Sequence, residues 1–272
     1  MKKHLLAAVA ATALLSHAGA QYSPQDALYN RGRAHGREGD FGRAIADFTE
    51  LILLNPTSAA AHKLRGRALF ASALDVGGIE GNFDNVLVRM PGGQITDEQA
   101  RVLGQAIEDF TQAIRLDPSS AAAYRERGRA NEAVGNLDLA MADFSRAIRI
   151  DPNFAAAYLN RGAAHFDGGS FDLAIADFTQ VIRIDPDNEI AHIHRGAAHF
   201  FRMDFNLAAE DFTQAIHINS DRATSHYRRG LAHANKGRYD LAIADFEAAL
   251  RLDPNNCYVM HWLDNVRRRS GL

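Results

Sequence analysis

Cysteine is almost missing from this 272-residue chain. Cys257 is the one thiol, so no disulfide can form within it, and stability must come from an apolar core rather than from cross-links. Neither sign of charge prevails: 30 basic residues stand against 33 acidic ones, a formal net charge of −3. That balance gives no general electrostatic reason to bind nucleic acid or an anionic membrane. Catalytic signatures are missing as well. There is no G-x-S-x-G, no H-E-x-x-H and no phosphate loop ending in Gly-Lys-Ser/Thr. Gly32, Gly36 and Gly39 look glycine-rich but precede no strand-bounded phosphate site. These absences speak against an enzyme and imply no cofactor.

What the chain has in abundance is itself. The stretch Ala155 to Asn188 recurs in steps of 34 residues. Pro118, Pro152, Pro186 and Pro254 close successive copies, and Ser220 holds the slot that lacks a proline. Pro56 closes an earlier copy, one period plus about 28 inserted residues before Pro118. A period of this length signals stacked supersecondary units. Numbering places 1 to 34 from Ala155, the apolar residues follow a helical period twice, over about 1–14 and 18–30. Gly169 and Ser170 supply the turn between the helices. Tyr158, Gly162, His165, Ala174, Phe178, Val181 and Pro186 hold places 4, 8, 11, 20, 24, 27 and 32.

This pattern of small, aromatic and proline places resembles the tetratricopeptide repeat, over Gln25 to Asn256. The resemblance implies an all-α fold: a right-handed α-solenoid of about six helix–turn–helix units. The units are expected at 25–58, 59–120, 121–154, 155–188, 189–222 and 223–256, all within a solenoid of residues 25–272. The second holds an insertion over roughly 71–98, with Val86-Leu87-Val88 leaning towards strand. After it, Thr96 and Gln99 have capping-box spacing, which starts a longer second helix near Asp97. Residues 257–269 are expected as a capping helix with Met260 and Leu263 inward, because an open end would leave apolar surface in water.

Residues 1–20 combine Lys2 and Lys3, the apolar run Leu5 to Leu15 and an Ala18-Gly19-Ala20 ending. This is the pattern of a secretory signal peptide, and the apolar run is too short to span a bilayer. Cleavage before Gln21 would leave 21–24 as a short linker and no stable membrane span. It would also remove both lysines, leaving 28 basic against 33 acidic residues, a balance of −5. The expected location is the periplasm, or the outside, of a Gram-negative bacterium.

Place 7 is arginine in every unit: Arg31, Arg65, Arg127, Arg161, Arg195 and Arg229. Place 23 is aspartate in every unit: Asp47, Asp109, Asp143, Asp177, Asp211 and Asp245. In an antiparallel pair turning near place 15, places summing to about 30 lie opposite, so a repeated structural Arg–Asp ion pair is expected. Histidines hold place 11 (His35, His165, His199, His233) and place 4 (His62, His192, His226). Equivalent places in neighbouring units lie about 10 Å apart, too far to share a metal ion, so these are read as structural or surface histidines.

In the tetratricopeptide family the concave groove is lined mainly by places 2, 5, 9, 12 and 13. The resemblance therefore implies a basic half at Arg33, Lys63, Arg67, Arg125 and Arg129. It implies an apolar half at Phe166, Phe200, Phe201 and Tyr227. A carboxylate clamp of the kind some family members carry would be incomplete: Arg125, Arg129 and Asn160 match, but Ile190 and His194 stand where basic residues belong. The resulting expectation is a non-catalytic scaffold that binds a protein or peptide partner. The alternative is a self-associating structural solenoid, a homo-oligomer.

Overall fold

Glycine at place 8 and phenylalanine at place 24 set how closely each helix pair packs. A Cβ built on Gly162 would stand 2.9 Å from Phe178 Cε1, and one on Gly32, Gly66, Gly196 or Gly230 would stand 2.7–2.9 Å from the matching ring. Any side chain there would force the helices apart, so the fully buried rings of Phe48, Phe110, Phe144, Phe178, Phe212 and Phe246 occupy space that glycine leaves. Burying one such ring stabilises by about 1.5–3 kcal/mol.

The computed structural model describes residues 23–74 and 95–271, in which the secondary structure is entirely helical. Two compact units divide the chain, residues 1–140 and 141–272. The first holds the helices α1 (Pro24–Arg37), α2 (Phe41–Leu54), α3 (Ala59–Leu74), α4 (Asp97–Leu116) and α5 (Ala121–Ala133). A sixth helix, α6, spans Leu137–Ile150. The second unit continues with α7 (Ala155–Asp167), α8 (Phe171–Ile184), α9 (Glu189–Phe201), α10 (Phe205–Ile218), α11 (Ala223–Asn235), α12 (Tyr239–Leu252) and α13 (Cys257–Ser270). Residues 1–20 and most of the insertion lie outside the described residues.

In the first unit, Leu28, Ala44, Phe48 and Leu51 share a core with Ala61, Leu64 and Ala68, so α3 closes the pair α1–α2. Leu69, Phe70, Ala73, Leu103, Ala106 and Phe110 then join α3 to α4, with Ala130 of α5 against them. Each pair therefore shares its apolar face with the helix that follows. Ser23 caps α1 in a complete capping box with Asp26, behind Pro24 at the first turn. Thr96 and Gln99 form the same box at α4, 20 residues long, and Gln99 Nε2 also donates to the Ala73 carbonyl at 2.9 Å.

The helix α3 corrects one sequence boundary. Ala71 to Leu74 are helical, and Phe70, Ala71 and Ala73 are buried, because the apolar stripe of α3 continues against α4. The insertion therefore begins later than residue 71, and Asp97 and Glu98 already belong to α4.

In the second unit, Phe212 packs with Ala208, Ala209 and Ala232, and Phe246 with Ala242, Ala249, Val259, Leu263 and Val266. The capping helix α13 ends at Gly271, in the left-handed region at φ +81. Val259, Leu263 and Val266 face inward, whereas Met260 is 41 % exposed. The inward expectation for Met260 was one residue out of phase, a rotation of about 100° on a helix.

Candidate functional site

Every aspartate at place 23 is buried, at 4–5 % exposure. The guanidinium of Arg65 holds Asp109 through Nε to Oδ2 at 2.8 Å and Nη2 to Oδ1 at 2.8 Å. Arg161 holds Asp177 in the same two-pronged way at 2.9 and 2.7 Å. Arg195 on Asp211 and Arg229 on Asp245 repeat it at 3.0 and 2.7 Å. Arg31 differs: both its nitrogens reach Asp47 Oδ1, at 2.9 and 2.6 Å, while His35 Nδ1 takes Oδ2 at 2.8 Å. Its side chain is 50 % exposed, against 22–25 % for Arg65, Arg161, Arg195 and Arg229.

The third guanidinium nitrogen does a second job. Nη1 of Arg65 donates to Thr49 at 3.3 Å, of Arg127 to Thr111 at 3.3 Å, and of Arg161 to Ser145 at 3.1 Å. Arg195 reaches Thr179 and Arg229 reaches Thr213, each at 3.2 Å. Those hydroxyls occupy place 25 of the preceding repeat. One arginine thus closes its own helix pair and ties it to the pair before. In the last repeat Glu247 holds place 25, and Arg267 of α13 donates to it at 2.8 Å.

The place-4 histidines add a similar bridge. His62 lies 3.1 Å from Asp109 by Nδ1 and 3.3 Å from the Pro56 carbonyl by Nε2. His192 lies 3.4 Å from Asp211 and 3.0 Å from the Pro186 carbonyl. Both ring nitrogens face acceptors, so a neutral ring can donate to only one of them. Asp211 stays ionised to a lower pH than usual: burial opposes its charge, but hydrogen bonds from His192 and Arg195 outweigh that. Among the described residues, no group of three or more His, Cys, Asp and Glu is placed to hold a metal ion.

At place 11, His199 Nε2 stands 4.0 Å from Asp211 Oδ2, and His233 Nε2 stands 3.9 Å from Asp245 Oδ2. Their Nδ1 atoms are buried without a hydrogen-bond partner. Burial pushes His165, His199 and His233 below the ordinary histidine range, more strongly than the nearby aspartates raise them. An open hollow beside α10 is lined by Arg195, His199, Leu207, Glu210, His233 and Arg238.

The residues of the basic half divide. Arg33 sits 5.6 Å from the Tyr29 ring centroid and is half-buried, as is Lys63. Arg67 is 27 % exposed. Arg125 and Arg129, expected to line an open groove, are buried at 2 and 3 % exposure. The reason is Glu126, which the repeat pattern does not single out. Its Oε1 lies 3.2 Å from Arg125 Nη1, its Oε2 lies 3.3 Å from Arg129 Nη1, and Arg67 approaches at 4.0 Å. Arg129 also stacks over Phe70 at 4.9 Å. Burial opposes the charge on Glu126, but Arg125, Arg129 and Arg67 together hold it ionised below the usual carboxylate range. Burial lowers Arg129, with Glu126 pulling the other way.

The apolar residues divide too. Tyr227 is half-buried, tilted against Phe246 at 6.0 Å and packed with Trp262 on the same apolar cluster, so it belongs to the packing under α13. Phe166, Phe200 and Phe201 stand in the last turns of their helices. Phe166 meets Phe171 and Phe201 edge-on at 5.5 Å, and Phe171 stacks on Phe201 at 5.5 Å. Phe200 meets Phe205 at 5.2 Å. The helix starts at Phe171 and Phe205 bring these rings within reach, a juxtaposition that places on the first helix alone do not reveal.

Tetratricopeptide-repeat profiles match residues 25–58, 99–153, 155–188 and 223–256, together more than half of the chain. No curated protein sequence matches. Among solved structures, Pseudomonas aeruginosa pilF aligns with a TM-score of 0.68 at 13 % identity, covering 89 % of this chain and 97 % of its own. The C-terminal part of a TPR repeat-containing protein from Cytophaga hutchinsonii gives 0.66 at 15 %, covering 89 % and 85 %. YrrB, described as a TPR protein with an unusual peptide-binding site, gives 0.57 at 18 %, covering 79 % and 96 %. At these identities the likeness concerns the fold.

Proposed function

We propose, from the premise that this chain belongs to the tetratricopeptide-repeat family, that it is a non-catalytic scaffold of the bacterial cell envelope holding a protein or peptide partner. The observation that carries this reading is the gathering of Arg67, Arg125 and Arg129 round Glu126, with Glu132 also acting on Arg129. The buried pair is held by Glu126, and Arg129 by the Phe70 ring as well. Arg33 on α1 and Lys63 and Arg67 on α3 are each partly open to solvent. Such a surface steers and orients an acidic segment, because accessible charges raise association rate more than final affinity. Phe166, Phe200 and Phe201 offer rings suited to an apolar stretch of the partner. That a structural relative, YrrB, is described as having a peptide-binding site supports the class of ligand. No helix among the described residues is long and apolar enough to cross a membrane.

The test is capture from envelope extracts with the full chain, followed by titration of the captured partner. Arg67→Ala should weaken binding by less than about 1 kcal/mol and reduce its salt dependence. Phe200→Ala should cost about 2 kcal/mol. Partner binding unchanged by both substitutions would remove both patches from the reading, leaving the insertion as the next candidate. Export is checked separately: sequencing the cell-derived protein should begin at or near Gln21. An intact Met1 in the soluble cytoplasmic pool would count against the envelope assignment.

A further inference from the structure

Two charged residues break the repeat where its architecture does not need them. Within the second unit, place 22 is Ala142, Ala176 and Ala244 in α6, α8 and α12, but Glu210 in α10. Place 16 is Ser170 and Asp204 before α8 and α10, but Arg238 before α12. Both charges line the open hollow beside α10. Its volume is 650 Å³, and ligand sites usually measure about 300–1,000 Å³. The two do not pair. Among the described residues neither Glu210 nor Arg238 makes an ion pair or a side-chain hydrogen bond, and both are exposed.

The other groups of the hollow divide into spent and unspent. Arg195 is engaged by Asp211 and Thr179. The Thr213 hydroxyl donates to the Ala209 carbonyl at 2.8 Å and accepts from Arg229 at 3.2 Å. The side-chain amides of Asn206 and Gln214 have no such partner among the described residues. Asn206, Leu207, Glu210 and Gln214 fall within about 100° of one another round α10, so they share a face. Leu207 is 45 % exposed there. His199 and His233 also line the hollow, and their Nδ1 atoms are buried without a partner. The equivalent joint one repeat earlier carries Ala176 and Asp204 in place of Glu210 and Arg238. A contact required by the stacking would recur there, and this couple of charges does not.

We propose that the hollow binds a small zwitterion, a free amino acid or a short peptide. Its carboxylate meets Arg238, its ammonium meets Glu210 and its apolar side chain lies on Leu207. A guanidinium suits a carboxylate because two parallel hydrogen bonds can form. Asn206 and Gln214 take the remaining polar atoms. This site is separate from the partner surface at Arg67 and does not rest on it.

Calorimetric titration of the full chain with leucine and with alanyl-leucine tests it. A single site should appear for at least one of them: leucine alone identifies a free amino acid, the dipeptide alone a short peptide. N-acetyl-leucine lacks the ammonium and leucinamide the carboxylate. Each should bind about ten-fold more weakly than leucine, the worth of one charge-assisted hydrogen bond. The same comparison applies to the capped dipeptides. Glu210→Ala and Arg238→Ser install the residues of neighbouring repeats, so Tm should stay near that of the parent while affinity falls about ten-fold. Glu210→Ala should also cease to distinguish the acetylated ligand, and Arg238→Ser the amide. No binding of either probe at millimolar concentration overturns the proposal. So do capped ligands that bind the parent as tightly as the zwitterions, or variants that bind like the parent.

Discussion

Arg195 donates to both carboxylate oxygens of Asp211, Nε to Oδ2 at 3.0 Å and Nη2 to Oδ1 at 2.7 Å. The aspartate is 5 % exposed and the arginine side chain 22 %. Four repeats share this two-pronged geometry, and the first repeat does not, which makes the pair testable by comparison within one molecule.

Asp177→Ala should strand the Arg161 guanidinium and cost about 3 kcal/mol, because removing one partner of a buried pair leaves the other desolvated and uncompensated. Asp47→Ala should cost clearly less, since Arg31 is half exposed and can turn to water or to Glu50, 3.7 Å away. Urea denaturation of both variants decides it, and equal losses would contradict the role given to burial.

Thr179→Val keeps the side-chain shape and removes the acceptor of Arg195 Nη1. The expected loss is about 0.5–1 kcal/mol, the usual worth of one hydrogen bond. It should appear as faster amide exchange in α8 and α9 together. Exchange quickened in one helix alone would mean that the bond does not couple consecutive repeats.

Gly162→Ala places a Cβ 2.9 Å from Phe178 Cε1 and 3.1 Å from Asp177 Cβ. Overpacking of this kind costs about 1–3 kcal/mol. The same change at Gly104 should stabilise by about 0.5–1 kcal/mol, as that helical glycine has nothing within 4 Å of its Cβ position. Thermal melts of the two variants should move in opposite directions.

Stability should fall on mild acidification. His165, His199 and His233 have folded pKa values below the ordinary 6.5, burial being the main cause. The unfolded chain therefore binds protons that the folded chain refuses, so stability is intact above about pH 6.5 and declines as pH drops from there towards the folded values. The groups facing them are Asp177 and Arg161, Asp211, Arg195, Asp204 and Arg202, and Asp245, Arg229 and Arg238. Replacing all three histidines with Gln should flatten the Tm profile in that window. An unchanged slope would assign the decline to other groups.

The helix pairs were legible because one period writes itself out repeatedly: glycine at place 8 and phenylalanine at place 24 have no other arrangement that satisfies both. The facing of place 7 and place 23 could be read because a hairpin of helices pairs places of constant sum. The second bond of each arginine was harder to see, although Thr49, Thr111, Ser145, Thr179 and Thr213 recur at place 25 as plainly as the aspartates. A hydroxyl does not announce a partner as a charge does. Glu126 was not legible at all. It stands in one repeat only, so no periodicity points to it, and its burial of Arg125 and Arg129 depends on three side chains meeting. The phase of Met260 was lost because a lone amphipathic helix fixes its inward face only against the helix it covers.

The arginine joints also make the repeats interchangeable parts. Removing residues 189–222 would carry Arg229 back to Thr179 in place of Thr213, the same hydroxyl at the same register, with Asp245 still in its grip. The one joint unlike the rest lies at the end, where Glu247 awaits Arg267. The chain can therefore lengthen or shorten by whole periods inside residues 155–256 without redesigning the arginine joint, while the ring contacts of Phe201 would have to be rebuilt.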